Sequence, residues 1–194
     1  MTEERLFTAV EKGQNDLIIN LLQEVDVNVQ ETGTLDTALM KAVAAGQRET
    51  VELLLQCSDI NVSLENVFQE TPLFLAVREG KVEIARLLLR APGADVNSTG
   101  SGGRSLLLIG AQMDHDDMVR LLLNEDAVDV NTRDESGRTA LFCAAEFGHK
   151  AIFELLKNRS DANTTDKYGQ TPKIDCDNER LHRDSGPVPM RTLW

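Results

Sequence analysis

A unit of about 34 residues recurs along most of this chain, and such an internal period constrains the fold more than any other feature. One landmark of the unit is a glycine that follows a short apolar stretch. It occurs at Gly13, Gly46, Gly80 and Gly148, with Asp114 in the remaining place, so successive positions differ by 33, 34, 34 and 34 residues. A second landmark is an aspartate-x-asparagine triplet, which begins at Asp26, Asp59, Asp95, Asp129 and Asp161. The shared period predicts an elongated stack of repeated units, with a core spread along its axis.

Residues 66–97 show how one unit folds. Thr71 is a suitable N-cap for a first short helix, because its hydroxyl can accept a hydrogen bond from a free amide of the first turn. Pro72 suits the first helical position, and Gly80 can adopt the left-handed conformation that ends the helix. A second helix then presents one apolar stripe, formed by Ile84, Leu87 and Leu88.

The order of turn, T-P-L, glycine, leucine-rich helix and D-V-N resembles the ankyrin repeat, and residues 134–163 resemble it most closely. Residues 128–148 are also similar to the long ankyrin arrays of filamentous fungi, which often form the sensor end of larger nucleotide-binding receptors. The resemblance implies an all-α ankyrin-repeat solenoid of stacked helix pairs with short β-hairpin turns.

The repeats divide the chain into an ankyrin domain over residues 1–172 and a tail over residues 173–194. We predict helix pairs at 4–28, 32–61, 66–97, 100–131 and 134–163, followed by a broken start at 166–172. In the tail, Lys173 stands where leucine is expected, and the dipeptides Gly186-Pro187 and Val188-Pro189 follow. We therefore expect the tail to be disordered.

The unit at 100–131 departs most from the pattern. Asp114 replaces the glycine at a left-handed position, and Gly110 lies inside the first helix. Each departure costs about 1 kcal/mol of helix stability, so we expect this unit to be the least stable of the stack.

Charge and composition exclude several classes of function. The chain has 20 basic and 32 acidic residues, a net charge of −12, which disfavours nucleic acids and anionic membranes as partners. Its apolar runs are too short to span a bilayer, and residues 1–10 lack the features of a signal peptide. The three widely spaced cysteines are typical of reduced thiols. We therefore expect a protein of the cytoplasm or the nucleus that is not secreted.

No motif predicts catalysis or a cofactor. His115 lies among acidic residues, but acidic side chains are favoured in the first turn of any helix, so we do not predict a metal site there. The glycines of residues 100–103 lack the Lys-Ser/Thr of a phosphate-binding loop. Nucleophile, zinc-protease and kinase motifs are missing from the sequence. We predict a protein that is not an enzyme and that binds no cofactor and no metal.

The ankyrin resemblance implies that partners contact the turn tips and the ends of the first helices, which line a concave surface. The candidate residues at these places are Val67, Phe68, Glu70, Arg78, Arg104, Gln112, Met113, Glu135, Arg138, Glu146, Phe147 and Tyr168. Apolar and aromatic side chains beside arginines are typical of interface hot spots. Two alternatives stay open. Phe68 could pack on its own repeat, since Gln69 replaces the turn glycine, and the arginines could balance local carboxylates instead of meeting an acidic partner.

The sequence therefore predicts a monomeric, non-catalytic module that binds another protein, as an adaptor or as the recognition segment of a larger assembly. An alternative is a stoichiometric protein inhibitor of an enzyme such as a kinase, because ankyrin-type inhibitors of cyclin-dependent kinases have similar numbers of repeats. An enzyme with an unfamiliar site is the third possibility.

Overall fold

The computed structural model describes residues 2–161 and 164–173 of the chain. Over these residues the chain forms ten α-helices and one short hairpin. The elements are α1 (Thr2–Glu11), α2 (Asn15–Leu21), α3 (Ala38–Ala44), α4 (Arg48–Leu55), α5 (Pro72–Arg78), α6 (Val82–Leu89), β1 (Thr99–Gly100), β2 (Arg104–Ser105), α7 (Leu106–Gln112), α8 (Asp116–Leu123), α9 (Ala140–Glu146) and α10 (Lys150–Leu156). The expected all-α stack of helix pairs is confirmed.

The helices form two layers. The first helices of successive pairs, α1, α3, α5, α7 and α9, pack in order, and so do the second helices α4, α6, α8 and α10. One continuous apolar core runs between the layers from Leu6 in α1 to Leu156 in α10. Because each pair is covered by its neighbours, the core has no single centre.

A hydroxyl caps each first helix from α3 onward. Thr71 accepts a hydrogen bond from the amide of Phe74 at 3.2 Å, which confirms it as the N-cap of α5. Equivalent bonds of 3.2–3.3 Å join Thr37 to Met40, Ser105 to Leu108 and Thr139 to Phe142. Serine therefore replaces threonine in the fourth pair without loss of the cap.

A left-handed residue joins the two helices of each pair, and from the second pair onward the side chain that follows it reaches the preceding pair. The left-handed residues are Gly13, Gly46, Gly80, Asp114 and Gly148. The side chain that follows lies within hydrogen-bond distance of a carbonyl at the end of the preceding first helix, joining Gln47 to Glu11 (3.2 Å), Lys81 to Val43 (3.1 Å), His115 to Arg78 (3.0 Å) and His149 to Gln112 (3.2 Å). His115 and His149 thus have structural roles at repeat junctions.

The nearby structure explains both residues at which the fourth pair departs from the repeat pattern. Asp114 adopts the left-handed conformation with φ of 57°, as its position in the repeat predicts. Gly110 lies in α7 with ordinary helical geometry, and a Cβ atom added there would lie 3.2 Å from Cγ2 of Val119 in α8. Glycine therefore lets α7 and α8 approach closely, and the lower stability of this unit stays a prediction.

Asparagine side chains connect the loops that follow the second helices. Asn97 donates to the carbonyl of Ala127 and accepts from the amide of Asp129, both at 2.7 Å. Asn28 makes the same pair of bonds to the next repeat, with Asp59 and Asn61. Asn61 instead accepts from the nearby amide of Ser63, at 3.0 Å, and the Ser63 hydroxyl donates to the Gly93 carbonyl of the next repeat, at 2.7 Å.

Only part of the predicted turn region forms paired strands. The hairpin of β1 and β2 is antiparallel, and a single bridge joins Gln30 to Thr37. The predicted broken start contains a turn in which Asp166 bonds with Gln170, and residues 171–173 adopt no regular structure. The rest of the predicted tail, 174–194, lies outside the described residues.

The asparagine bonds between repeats generate a first prediction. Asn97→Ala removes two hydrogen bonds that link neighbouring pairs, so it should lower the free energy of unfolding by about 1–2 kcal/mol. Asn61→Ala is the matched control, because that side chain bonds only within its own loop, and it should cost less than about 1 kcal/mol. Urea unfolding followed by circular dichroism measures both. Equal losses for the two variants would contradict a role in joining repeats.

Burial of Cys143 generates a second prediction. The side chain is fully buried in α9, and loss of solvent raises the pKa of its thiol to about 12. Only the thiolate attacks electrophiles, so at pH 8 about one thiol in ten thousand is reactive. In a chain with Cys57→Ser and Cys176→Ser, a thiol-reactive dye should label Cys143 only when the fold opens. Labelling of Cys143 in native buffer as fast as in about 8 M urea, which unfolds most proteins, would refute this prediction.

Candidate functional site

A groove of about 390 Å³ opens where turn tips meet the ends of the first helices. Phe68 from a turn, Ala44 and Ala45 from the end of α3, and Arg78 from the end of α5 line it, with Met40 at its floor. We call this the turn-side groove. The structure therefore brings together three of the predicted contact residues, Phe68, Glu70 and Arg78, which the sequence places on two different elements.

The turn that carries Phe68 is regular. The side-chain oxygen of Asn66 accepts from the amides of Phe68 and Glu70, at 2.9 and 3.1 Å, and Gln69 takes the left-handed conformation with φ of 60°. Asp134 holds the equivalent turn before α9 in the same way. Gln69 therefore adopts the conformation of the missing glycine, and the Phe68 side chain points outward with 62% of its surface exposed.

Glu70 requires a correction, because it is buried and not an exposed contact residue. Its carboxylate accepts from the side-chain amide of Asn66 and forms an ion pair with the guanidinium of Arg78. A carboxylate loses hydration on burial and needs such partners in exchange. Glu70 therefore holds the turn against the end of α5.

The ion pair recurs two repeats later with its charges exchanged. Arg138 occupies the place of Glu70, and Glu146 occupies the place of Arg78; their side chains meet at 3.2 Å. Arg138 also forms an ion pair with Asp134 at 2.8 Å. The same link between turn and helix end is thus made with either order of charges.

Three cations on this surface each lie between two carboxylates. Lys41 contacts Glu11 at 3.0 Å and Glu31 at 2.9 Å. Arg78 contacts Glu79 as well as Glu70, and Arg138 contacts Asp134 and Glu146. Of the two interpretations of the arginines, local charge balance therefore holds for Arg78 and Arg138.

The protonation of these groups follows from the contacts. Burial opposes the charge on Lys41, but hydrogen bonds with Glu31 and Glu11 outweigh it and raise the pKa of the ammonium. The bond from Lys41 lowers the pKa of Glu31. Burial likewise opposes the charge of Arg138, and the Asp134 hydrogen bond outweighs it, so the pKa of the guanidinium is raised. All three groups are charged at neutral pH.

Further along the same surface, several of the predicted contact residues lie around His149. Its ring stacks on Phe147 with centroids 6.0 Å apart. One ring nitrogen lies 3.2 Å from the carboxylate of Asp114, and the other lies 3.2 Å from the carbonyl of Gln112. Met113 is 43% exposed beside them. Phe147 is therefore held in place by the junction between the last two helix pairs while one side of it faces solvent.

The remaining candidates lie at turn tips. Val67 and Tyr168 are exposed, as is Glu135, whose amide bonds with the carbonyl of Gly102 in the neighbouring hairpin. Lys167 lies over the ring of Tyr168, 5.3 Å from its centroid. Arg104 donates to the carbonyl of Ser101 and closes its own hairpin.

Sequence reasoning missed the alanines that make the groove. Ala44 and Ala45 are both exposed, although alanine in a helix is usually assigned to packing. Aligning the helix ends by the left-handed residue gives the signal that identifies them. The two preceding places hold Glu11 and Lys12, Arg78 and Glu79, Gln112 and Met113, and Glu146 and Phe147 in the other repeats. Small residues at both places leave an opening in a wall of long side chains.

The structure also bears on other classes of site. Across residues 2–161 and 164–173, no group of three or more His, Cys, Asp or Glu side chains is arranged to hold a metal ion. None of the helices formed by those residues is long and apolar enough to cross a membrane.

Comparison with known proteins agrees with this architecture. A family model described as ankyrin repeats, in three copies, matches residues 6–100 and again residues 92–168. A search of curated proteins found no significant match. The two family matches together span more than half of the chain. The chain therefore belongs to the ankyrin repeat family, whose members generally act as protein–protein interaction modules and are typically non-catalytic.

Proposed function

We propose that this chain binds another protein through the surface formed by its turn tips and first-helix ends, without catalysis, as an adaptor or as the recognition segment of a larger assembly. One observation carries the proposal: among the described residues, seven large hydrophobic side chains are exposed, and six of them lie on this surface. The six are Leu35, Val67, Phe68, Met113, Phe147 and Tyr168.

The position of these side chains supports binding over internal packing. Phe68 and Tyr168 are 62% and 75% exposed, although they stand on turns in which backbone amides donate to the side-chain oxygens of Asn66 and Asp166. A protein that binds no partner gains nothing from holding large apolar groups in water on ordered turns, whereas aromatic anchors of this kind dominate the free energy of many interfaces.

Substitution of two anchors tests the proposal. Phe68→Ser combined with Phe147→Ser should lower the affinity for the natural partner at least about tenfold, because each buried aromatic anchor commonly contributes more than 1 kcal/mol. Partners captured from cells by the tagged wild-type chain are identified by quantitative mass spectrometry, and their binding to purified variants is then measured.

Ile19→Ser is the matched control, because Ile19 is 48% exposed on α2, a second helix away from the turn tips. Binding should survive in this variant. Both variants should remain folded under the conditions of the binding assay, as urea unfolding can verify, since none of the replaced side chains belongs to the buried core. Retention of every captured partner by the double variant would exclude this surface as the binding site.

A further inference from the structure

The turn-side groove has a space at its centre and charge on either side of it. The space lies over Ala44 and Ala45, the two short side chains in the row of first-helix ends. Because α3 packs between α1 and α5, the neighbouring positions in this row belong to Glu11 and Lys12 on one side and to Arg78 and Glu79 on the other.

The floor and one wall of this space are apolar. Met40 and Leu75 form part of its lining and are themselves almost fully buried, so their positions are fixed by the core. Phe68 stands beside them with most of its ring in solvent. An aliphatic or aromatic side chain placed over the two alanines would cover this ring and the methyl groups and release water from both.

The charge around the space is negative. Three carboxylates, those of Glu11, Asp36 and Glu70, line the space together with the cations Lys41 and Arg78, and Glu31 and Glu79 pair with the same two cations. Lys12 and Lys81 lie next to the space, so five carboxylates stand against four cations, an excess of one negative charge. Lys41 and Arg78 each already contact two carboxylates, and the Lys81 ammonium donates to the carbonyls of Val43 and Ala44. By contrast, the side chains of Glu11 and Glu79 are 58% and 44% exposed, and a carboxylate can accept more hydrogen bonds than the single one that each makes here.

This arrangement selects a cation over an anion. An acidic segment entering the groove would meet unbalanced carboxylates at close range, and like charges in an interface are strongly unfavourable. A basic segment would instead find unused acceptors on both sides of an apolar space. The net charge of −12 on the whole chain would also accelerate its approach, and it disfavours a second copy of this chain as occupant.

We propose that the turn-side groove binds a basic peptide segment of a partner protein. An aliphatic or aromatic side chain of that segment fills the space over Ala44 and Ala45, and Lys or Arg residues on either side of it pair with Glu11 and Glu79. This inference rests on the proposed function, since it specifies the chemistry of the partner at the same surface.

Selection from a random peptide library tests the inference, because such a library offers basic, neutral and acidic segments alike. Random dodecapeptides displayed on phage are selected on the purified full-length chain, and enriched peptides are synthesised with a fluorescent label. Their dissociation constants are measured by anisotropy at low and at physiological salt. We expect enriched peptides to carry net positive charge together with an aliphatic or aromatic residue, and to bind more weakly as salt rises.

Two sets of variants separate the space from the charge. Ala45→Gln fills the space with a neutral side chain and should weaken binding about tenfold or more, whereas Ala45→Ser leaves the space open and should change it less than about twofold. Glu11→Gln combined with Glu79→Gln keeps the shape and should weaken binding about fivefold, with a smaller effect of salt. The control for net charge is Glu49→Gln combined with Glu83→Gln, two exposed carboxylates of the second-helix layer, and it should leave affinity within about twofold.

The outcomes distinguish failure of this inference from failure of the proposed function. Enriched peptides that are neutral or acidic, yet lose binding with Ala45→Gln or Phe68→Ser, would overturn the basic partner and leave the binding surface intact. No enrichment, or peptides whose binding survives Ala45→Gln and Phe68→Ser alike, would overturn the peptide-binding groove. The proposed function fails only if the double variant Phe68→Ser, Phe147→Ser also retains every captured protein partner.

Discussion

Most helices of this chain have seven or eight residues, and helices of that length are marginal in water by themselves. Their stability therefore depends on contact between neighbouring pairs. Each pair buries an apolar face against the next, and polar side chains fix the spacing. Gln47, Lys81, His115 and His149 satisfy carbonyls at the ends of preceding helices, which would otherwise lack partners within their own helix.

This dependence also organises the surface. Since the pairs are held at fixed spacing, their turn tips and first-helix ends form a continuous row, and a single change of side-chain size in that row alters its shape. At Ala44 and Ala45 the row has an opening, while at Met113 and Phe147 it carries apolar side chains. The core and the layer of second helices fix the positions of the row, and the side chains in the row determine what it can bind.

Sequence reasoning predicted the fold well because the period, the capping hydroxyls and the left-handed residues are local signals that repeat. It also placed Phe68 and Arg78 correctly at one surface. It failed at Glu70, because the burial of that carboxylate depends on a contact with Arg78 eight residues away, and at Ala44 and Ala45, because an opening is defined by what surrounds it. It foresaw the strain at Asp114 but not the close approach of α7 and α8 that Gly110 permits. The repeat period and the helix caps can be recognised from the residue type at each position. Burial and concavity depend on how several residues from different elements are placed around one another.

The exchange of charges between the Glu70–Arg78 and Arg138–Glu146 pairs has a further consequence. Both orders bridge the same two backbone positions, so the bridge that secures the turn is indifferent to polarity. The electric dipole across each bridge, however, points in opposite directions in the two repeats. A repeat can thus reverse the local field that it presents to an approaching molecule while the bridge still joins the same two backbone positions, and a stack of such repeats can carry a sequence of polarities along its length.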